Sequence, residues 1–95
     1  MAEYREIIHS PRFNRELDSL LPGAKRADEF VRGAEWILSR NPETGHRISE
    51  NSAVWMIALT ELSETTPIVL YYTFDDEKVW FLSIQETEFD LYSGF

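Results

Sequence analysis

The sequence has no cysteine, only two lysines and no apolar run longer than seven residues. Without cysteine there is no disulfide, no thiolate nucleophile and no cysteine-based metal site. The longest apolar run, residues 53–59, is far shorter than the roughly 18 residues that a bilayer span needs. The first residues also lack the basic and apolar regions of a signal peptide, so we expect a cytoplasmic protein without a membrane segment.

Basic residues are nearly missing from the second half of the chain. Residues 1–48 carry eight acidic and eight basic side chains, whereas residues 49–95 carry nine acids and a single base, Lys78, so the net charge is −8. Phosphate backbones are bound mainly by lysine and arginine. We therefore expect weak direct binding of nucleic acid, and any such contact falls to Arg40, His46 and Arg47.

The composition is otherwise that of a small globular protein. The 95 residues are 43% hydrophobic and 27% charged, which is close to the average of folded proteins. A chain of this length predicts a single domain over residues 1–95. Aromatic residues make up 14% of the chain, more than so small a core readily encloses, which favours a surface for a protein partner.

The hydrophobic periodicity changes near Gly45 and predicts an α+β fold. Before this residue we predict a strand at 4–8, a helix that begins at Pro11 and ends at 21–23, and a second helix at 24–40, with Ser10 as the first helix cap. After it, strands are predicted at 54–62, 68–74 and 79–84, and their short connections imply an antiparallel β-meander. We expect the helix hairpin to cover one face of the sheet with five apolar residues: Phe13, Leu17, Phe30, Val31 and Leu38.

Three residues of the second helix stand apart from its apolar stripe. Trp36 falls on the opposite side, where it either packs under a loop or belongs to a protein interface. Gly33 lies at the edge of the stripe, where the missing side chain would let the other helix approach closely. Arg40, in the last turn, is expected to interact with the C-terminal carbonyl groups of the helix.

His46 and Arg47 place a potential general base beside a permanent cation. RNA cleavage needs a base to deprotonate the 2′-hydroxyl and cations to stabilise the charge that develops on the phosphorus. The alternative interpretation is a polar pair that leads into a strand after Gly45.

No motif indicates a metal or a cofactor. His9 and His46 lack the i, i+4 partner of a helical zinc site, and the four glycines are too scattered for a phosphate-binding loop. The acidic run 75–77 lacks the spacing and the glycine of an EF-hand loop and suits a hairpin turn. We therefore expect neither a metal nor a cofactor.

Three parts of the sequence resemble the RelE/ParE superfamily of toxins from type II toxin–antitoxin modules. They are residues 4–8 followed by 10–13, residues 36–38 followed by 41–45, and residues 70–84, where an apolar strand with a tyrosine leads through an acidic turn to a second apolar strand. The resemblance covers residues 4–85 and implies a strand, a helix hairpin and an antiparallel meander.

The resemblance also suggests site residues, and the sequence departs from the family at others. Tyr72 and, with a shift, Tyr92 match the family's tyrosines, and with His46 and Arg47 they are the candidate catalytic residues. The arginine that the family's ribonucleases carry three residues before the strand tyrosine is Val69 here. The basic stretch after their last strand is Gln-Glu-Thr-Glu, residues 85–88. These departures favour a protein that is not an enzyme.

By resemblance, the expected function is that of a toxin-like subunit that binds a cognate antitoxin. A ParE-like inhibitor of DNA gyrase and a member with lost toxicity both fit this expectation. The alternatives are a ribosome-dependent mRNA endoribonuclease of the RelE type and a non-toxic interaction module. Four aromatic residues are expected to form the partner surface: Trp36, Tyr72, Trp80 and Phe89.

Overall fold

The computed structural model describes residues 4–20, 24–59 and 68–86. In chain order these residues form β1 (Glu6–His9), α1 (Pro11–Leu20), α2 (Ala24–Arg40), a 3₁₀ helix (Pro42–Thr44), β2 (His46–Arg47), β3 (Trp55–Leu59), β4 (Ile68–Phe74) and β5 (Lys78–Glu86). This order confirms the predicted α+β fold. Neither helix is both long and apolar enough, over the described ranges, to cross a membrane.

The five strands form one sheet in the order β1-β5-β4-β3-β2. β3, β4 and β5 are antiparallel neighbours, as the predicted meander requires. β1 lies parallel to β5, with Ile7 opposite Val79. β2 pairs with β3, so the polar residues after Gly45 are themselves a short edge strand.

Helix α1 begins where the sequence predicts because Ser10 acts as its cap. The Ser10 hydroxyl oxygen accepts a hydrogen bond from the Phe13 backbone N–H at 3.1 Å, which satisfies an amide that the first turn leaves unpaired. The same hydroxyl donates to the Leu82 carbonyl oxygen at 2.9 Å. The cap therefore also joins the start of α1 to β5.

The core lies between the two helices and one face of the sheet. The buried hydrophobic cluster comprises Phe13, Leu17, Phe30, Ala34, Leu38, Ile68, Leu70, Tyr72, Val79, Phe81 and Ile84. Four of the five predicted helix residues belong to this cluster, and Val31 is half-buried at its edge. The predicted packing of the hairpin on the sheet is thus confirmed.

Gly33 does not serve a close approach between helices. It is exposed, and a Cβ atom built on it would have no neighbour within 4 Å. The prediction of a tight helix contact at Gly33 is therefore wrong, because α2 turns this position toward solvent.

The acidic run between β4 and β5 is a hairpin turn, as predicted. The Asp75 side-chain oxygen Oδ1 accepts hydrogen bonds from the backbone N–H groups of Glu77 and Lys78, both at 2.7 Å. These two donors favour the charged form and lower the pKa of the Asp75 carboxyl. The carboxylate therefore stabilises the turn.

Candidate functional site

Tyr72 lies at the centre of the core and closes the loop that follows α2. Its hydroxyl donates a hydrogen bond to the Pro42 carbonyl oxygen and accepts one from the Gly45 backbone N–H at 3.2 Å. Burial raises the pKa of Tyr72 to about 12, against the opposing effect of the Gly45 hydrogen bond. With a side chain that is 0% exposed, Tyr72 acts as a structural residue and presents no surface to a substrate or a partner.

His46 and Arg47 occupy the edge strand β2 and point to opposite faces of the sheet. His46 is opposite Met56, and Arg47 is opposite Trp55, because successive residues of a strand alternate between faces. The Arg47 guanidinium lies 5.8 Å from the centre of the Trp55 ring and donates a hydrogen bond to the Glu50 carbonyl oxygen at 3.4 Å. The two side chains therefore do not form a base–cation pair.

Arg40 lies at the end of α2, where its side chain contacts Trp36 and Tyr4. Its Nη1 donates a hydrogen bond to the Trp36 carbonyl oxygen at 3.0 Å, which confirms the predicted interaction with the carbonyl end of the helix. Its guanidinium carbon lies 4.2 Å from the centre of the Tyr4 ring and 4.4 Å from that of Trp36. Arg40 thus stacks on two aromatic rings. The contact with Tyr4 joins residues far apart in the chain, so short-range sequence patterns do not reveal it.

Trp36 is the most exposed of the large hydrophobic side chains that the structure describes, at 62%, and Tyr4 follows at 52%. Trp36 does not pack under a loop, and it borders an open groove between α2 and β1. Six residues line this groove: Ile7, Arg32, Glu35, Trp36, Ser39 and Arg40. Trp36 therefore lies on a surface that is open to a partner.

Trp80 lies on the face of the sheet that the helices leave uncovered. It is paired with Ile8 on β1 and Thr73 on β4, and all three side chains are half-buried. Phe89 and Tyr92, the remaining expected site residues, lie outside the described residues.

A second open groove, between α1 and the end of β5, contains the carboxyl group of Glu16. Its Oε1 accepts hydrogen bonds from the Ser83 hydroxyl at 2.7 Å and the Ile84 backbone N–H at 3.3 Å. Burial acts to raise the pKa of Glu16, but these hydrogen bonds and the nearby Arg12 guanidinium outweigh it and lower the pKa. Glu16 is therefore an ionised structural tie between α1 and β5.

Among the described residues, no three histidine, aspartate or glutamate side chains come together as metal ligands. His9 instead contacts Glu35, with 3.2 Å between its Nε2 and the carboxylate oxygen. The His9 ring also stacks on Phe81, with 5.4 Å between ring centres. This histidine joins β1 to α2.

Comparison with known proteins identifies the fold. One similar solved structure is the toxin–antitoxin complex RelBE2 from Mycobacterium tuberculosis, with a TM-score of 0.69, 21% identity, and coverage of 92% of this chain and 95% of that chain. Another is the chromosomal ParDE toxin–antitoxin system from P. aeruginosa, with a TM-score of 0.57, 20% identity, and coverage of 92% of this chain and 100% of that chain. No protein-family model and no curated protein sequence matches the chain. The chain has the fold of the RelE/ParE-like toxins.

Proposed function

We propose that this chain is the toxin-like subunit of a toxin–antitoxin pair and binds a small antitoxin protein. The observation that carries this proposal is the shared fold over 92% of the chain with a chain from each of two toxin–antitoxin complexes. The exposed Trp36 and the half-buried Trp80 supply aromatic surface of the kind that protein interfaces use.

The proposed action does not include cleavage of RNA. Phosphoryl transfer requires positive groups aimed at one developing charge, and losing one such donor typically lowers the rate by about 10²–10³. Here His46 and Arg47 point to opposite faces, Arg40 is stacked between two aromatic rings, and Tyr72 is buried. This separation favours a protein target, and DNA gyrase is the first to test because of the likeness to ParDE.

Expression of the chain from an inducible promoter tests the toxin-like role. We expect growth arrest, rescue by co-expression of the small protein encoded beside it, and inhibition of gyrase in a supercoiling assay. Growth that continues, together with no binding between the two proteins, would refute the proposal. Continued growth with tight binding would instead support a non-toxic interaction module.

The ribonuclease alternative is tested with purified protein on translating ribosomes. We expect no cleavage of messenger RNA, and the Arg47→Ala variant should behave like the unmodified chain. Efficient cleavage that Arg47→Ala abolishes would establish a RelE-type endoribonuclease instead.

A further inference from the structure

Four residues of helix α2 lie exposed in a narrow line: Glu29, Gly33, Trp36 and Arg40. Their spacing of four, three and four residues is that of the a and d positions of a coiled coil. At 3.6 residues per turn, this spacing keeps the four within about 60° of one another around the helix. We call this line the α2 seam. The helix packs on the core with its other side, through Phe30, Ala34 and Leu38.

The α2 seam is complementary to itself when a second copy lies against it in the antiparallel orientation. A two-fold axis that passes between residues 34 and 35 brings Glu29 of one copy level with Arg40 of the other, because the two residues lie equally far from the axis. For the same reason it brings Gly33 level with Trp36 of the second copy. Each pairing then occurs twice, as the symmetry of a two-fold interface requires.

The pairing of Gly33 with Trp36 sets a large side chain over an open space. A Cβ atom built on Gly33 would have no neighbour within 4 Å, so a second chain can approach the helix closely at this point. Trp36 is exposed, and its ring is stacked on the Arg40 guanidinium carbon, which lies 4.4 Å from the ring centre. A side chain that is already held in place loses less conformational entropy when an interface forms. Tryptophan is also a frequent energetic anchor of protein interfaces.

The charges on the exposed side of α2 balance, in contrast to those of the whole chain. Among the α2 residues whose exposure the structure describes, the exposed acids are Asp28 and Glu29, and the exposed bases are Arg32 and Arg40. Two copies that each carry a net charge of −8 repel one another, and a neutral contact face keeps this repulsion small. The antiparallel orientation also sets an acid against a base, Glu29 against Arg40, at both ends of the seam.

We propose that two copies of the chain associate through the α2 seam as a two-fold symmetric dimer with antiparallel helices. Residues 29–40 span only about 17 Å of helix, so the contact lies at the small end of the range for specific interfaces. The dimer is therefore weak, and it forms at chain concentrations of about 10–100 μM. This inference goes beyond the proposed function and does not depend on it, because its test uses the purified chain alone.

Sedimentation equilibrium between about 1 μM and 1 mM chain measures the association. We expect the unmodified chain to pass from monomer to dimer in this range, and Trp36→Ala to raise the dissociation constant about tenfold or more. Gly33→Gln, which fills the space above the helix, should weaken the dimer as strongly. It should not lower the midpoint of urea unfolding, because the position is exposed and glutamine favours helix. An unmodified chain that stays monomeric throughout this range, with no change caused by these variants in any other binding, would overturn the proposal.

Charge reversal tests the antiparallel register of the two helices. Glu29→Arg sets two like charges against each other at both ends of the seam, and so does Arg40→Glu, so each variant alone should dimerise about tenfold more weakly or worse. In an equimolar mixture of the two variants, every acid again faces a base. We therefore expect the mixture to associate about as tightly as the unmodified chain, measured by the fluorescence anisotropy of one labelled variant as the other is added.

The matched controls are Asp18→Arg and Arg15→Glu, which change the net charge by the same amounts at exposed positions of α1. Each should change the dissociation constant by less than about threefold, because neither position lies on the seam. Association that the seam variants leave unchanged, or a mixture that associates no better than either variant alone, would overturn the proposal. A chain that stays monomeric while Trp36→Ala weakens its binding to the small protein encoded beside it would overturn it in favour of that partner.

Discussion

Tyr72 shows how one polar group organises a stretch of loop. Its hydroxyl makes two hydrogen bonds, one to Pro42 and one to Gly45, across 30 and 27 residues of chain. Both loop groups lie in a buried environment, where an unpaired N–H or C=O costs free energy. The phenol therefore replaces the water that these backbone groups would otherwise bind.

Replacing Tyr72 with phenylalanine should lower the free energy of unfolding by about 1–3 kcal/mol, because two buried backbone groups lose their partner. The measurement is urea denaturation, in which the midpoint falls while the slope stays constant. The matched control is Tyr71→Phe, a half-buried neighbour on the other face of the sheet, which should change stability by less than about 0.5 kcal/mol. Equal midpoints for the two variants would contradict the structural role of the Tyr72 hydroxyl.

The raised pKa of Tyr72, about 12, predicts a loss of stability in alkali. The folded chain holds the phenol proton more tightly than the unfolded chain, whose tyrosines titrate near about pH 10. The corresponding stability is therefore fully present below about pH 10 and is lost as the pH rises towards 12. In urea denaturation at increasing pH, the excess stability of the unmodified chain over Tyr72→Phe should shrink in this window, and a constant difference would contradict the assignment.

Two glycines should respond in opposite directions to alanine. A Cβ on Gly45 would lie inside contact distance of the Met56 carbonyl oxygen and the Tyr72 hydroxyl, so Gly45→Ala should destabilise the fold by about 1–3 kcal/mol. Gly33→Ala meets nothing within 4 Å and should stabilise α2 by about 0.5–1 kcal/mol. Thermal unfolding of both variants decides this prediction, and a stabilising Gly45→Ala would show that the loop is not tightly packed.

At the scale of elements, hydrogen bonds from two side chains of the α1 segment hold the helix against β5. Ser10 binds both the Phe13 amide and the Leu82 carbonyl, and Glu16 binds the Ser83 hydroxyl and the Ile84 amide. The bonds of Ser10 lie at the start of α1, and those of Glu16 lie six residues further along. Together with the buried Phe13 and Leu17, they set how the helix lies on the strand.

Removing the Ser10 hydroxyl should destabilise the protein by about 0.5–2 kcal/mol, the usual effect of losing an N-cap. The value should lie in the upper part of this range, because the same hydroxyl also satisfies a carbonyl of β5. Ser10→Ala is compared with Ser19→Ala, an exposed serine of the same helix, by urea denaturation. A threonine at position 10 should restore most of the loss, and a failure to do so would argue against the cap as its cause.

At the scale of the whole molecule, charge limits what the chain can bind. The net charge is −8, and Lys78 is the single base among the last 47 residues. The described arginines lie just before β1 and on α1, α2 and β2. We therefore expect the chain to bind protein partners better than nucleic acid.

Binding to single-stranded RNA should accordingly be weak, and its affinity should depend only slightly on the salt concentration. At most three groups, Arg40, His46 and Arg47, are expected to contact phosphates, so the slope of log K against log salt should be no steeper than about −2. Fluorescence anisotropy with labelled oligouridine between about 50 and 200 mM salt measures this slope. Arg47→Glu should reduce it, and a slope steeper than about −4 would reveal a cationic surface larger than these three groups provide.

The sequence by itself determined the two helices, the first strand and the three strands of the meander, and their order. Ser10 and Pro11 mark the start of α1, the apolar period of 3.6 residues marks both helices, and the acidic run 75–77 marks the β4–β5 turn. These signals can be recognised in the sequence because each depends on residues that are close together in the chain. The acidic balance and the exposure of Trp36 follow from composition and periodicity in the same way.

Only the tertiary structure decided the features that join distant parts of the chain. It placed β1 parallel to β5, turned His46 and Arg47 to opposite faces, and buried Tyr72 against a loop 30 residues away. It also brought Tyr4 onto Arg40 and placed Ile7 of β1 beside α2 in one open groove. Such contacts depend on how whole elements pack, and no local propensity specifies which distant side chain will be the neighbour.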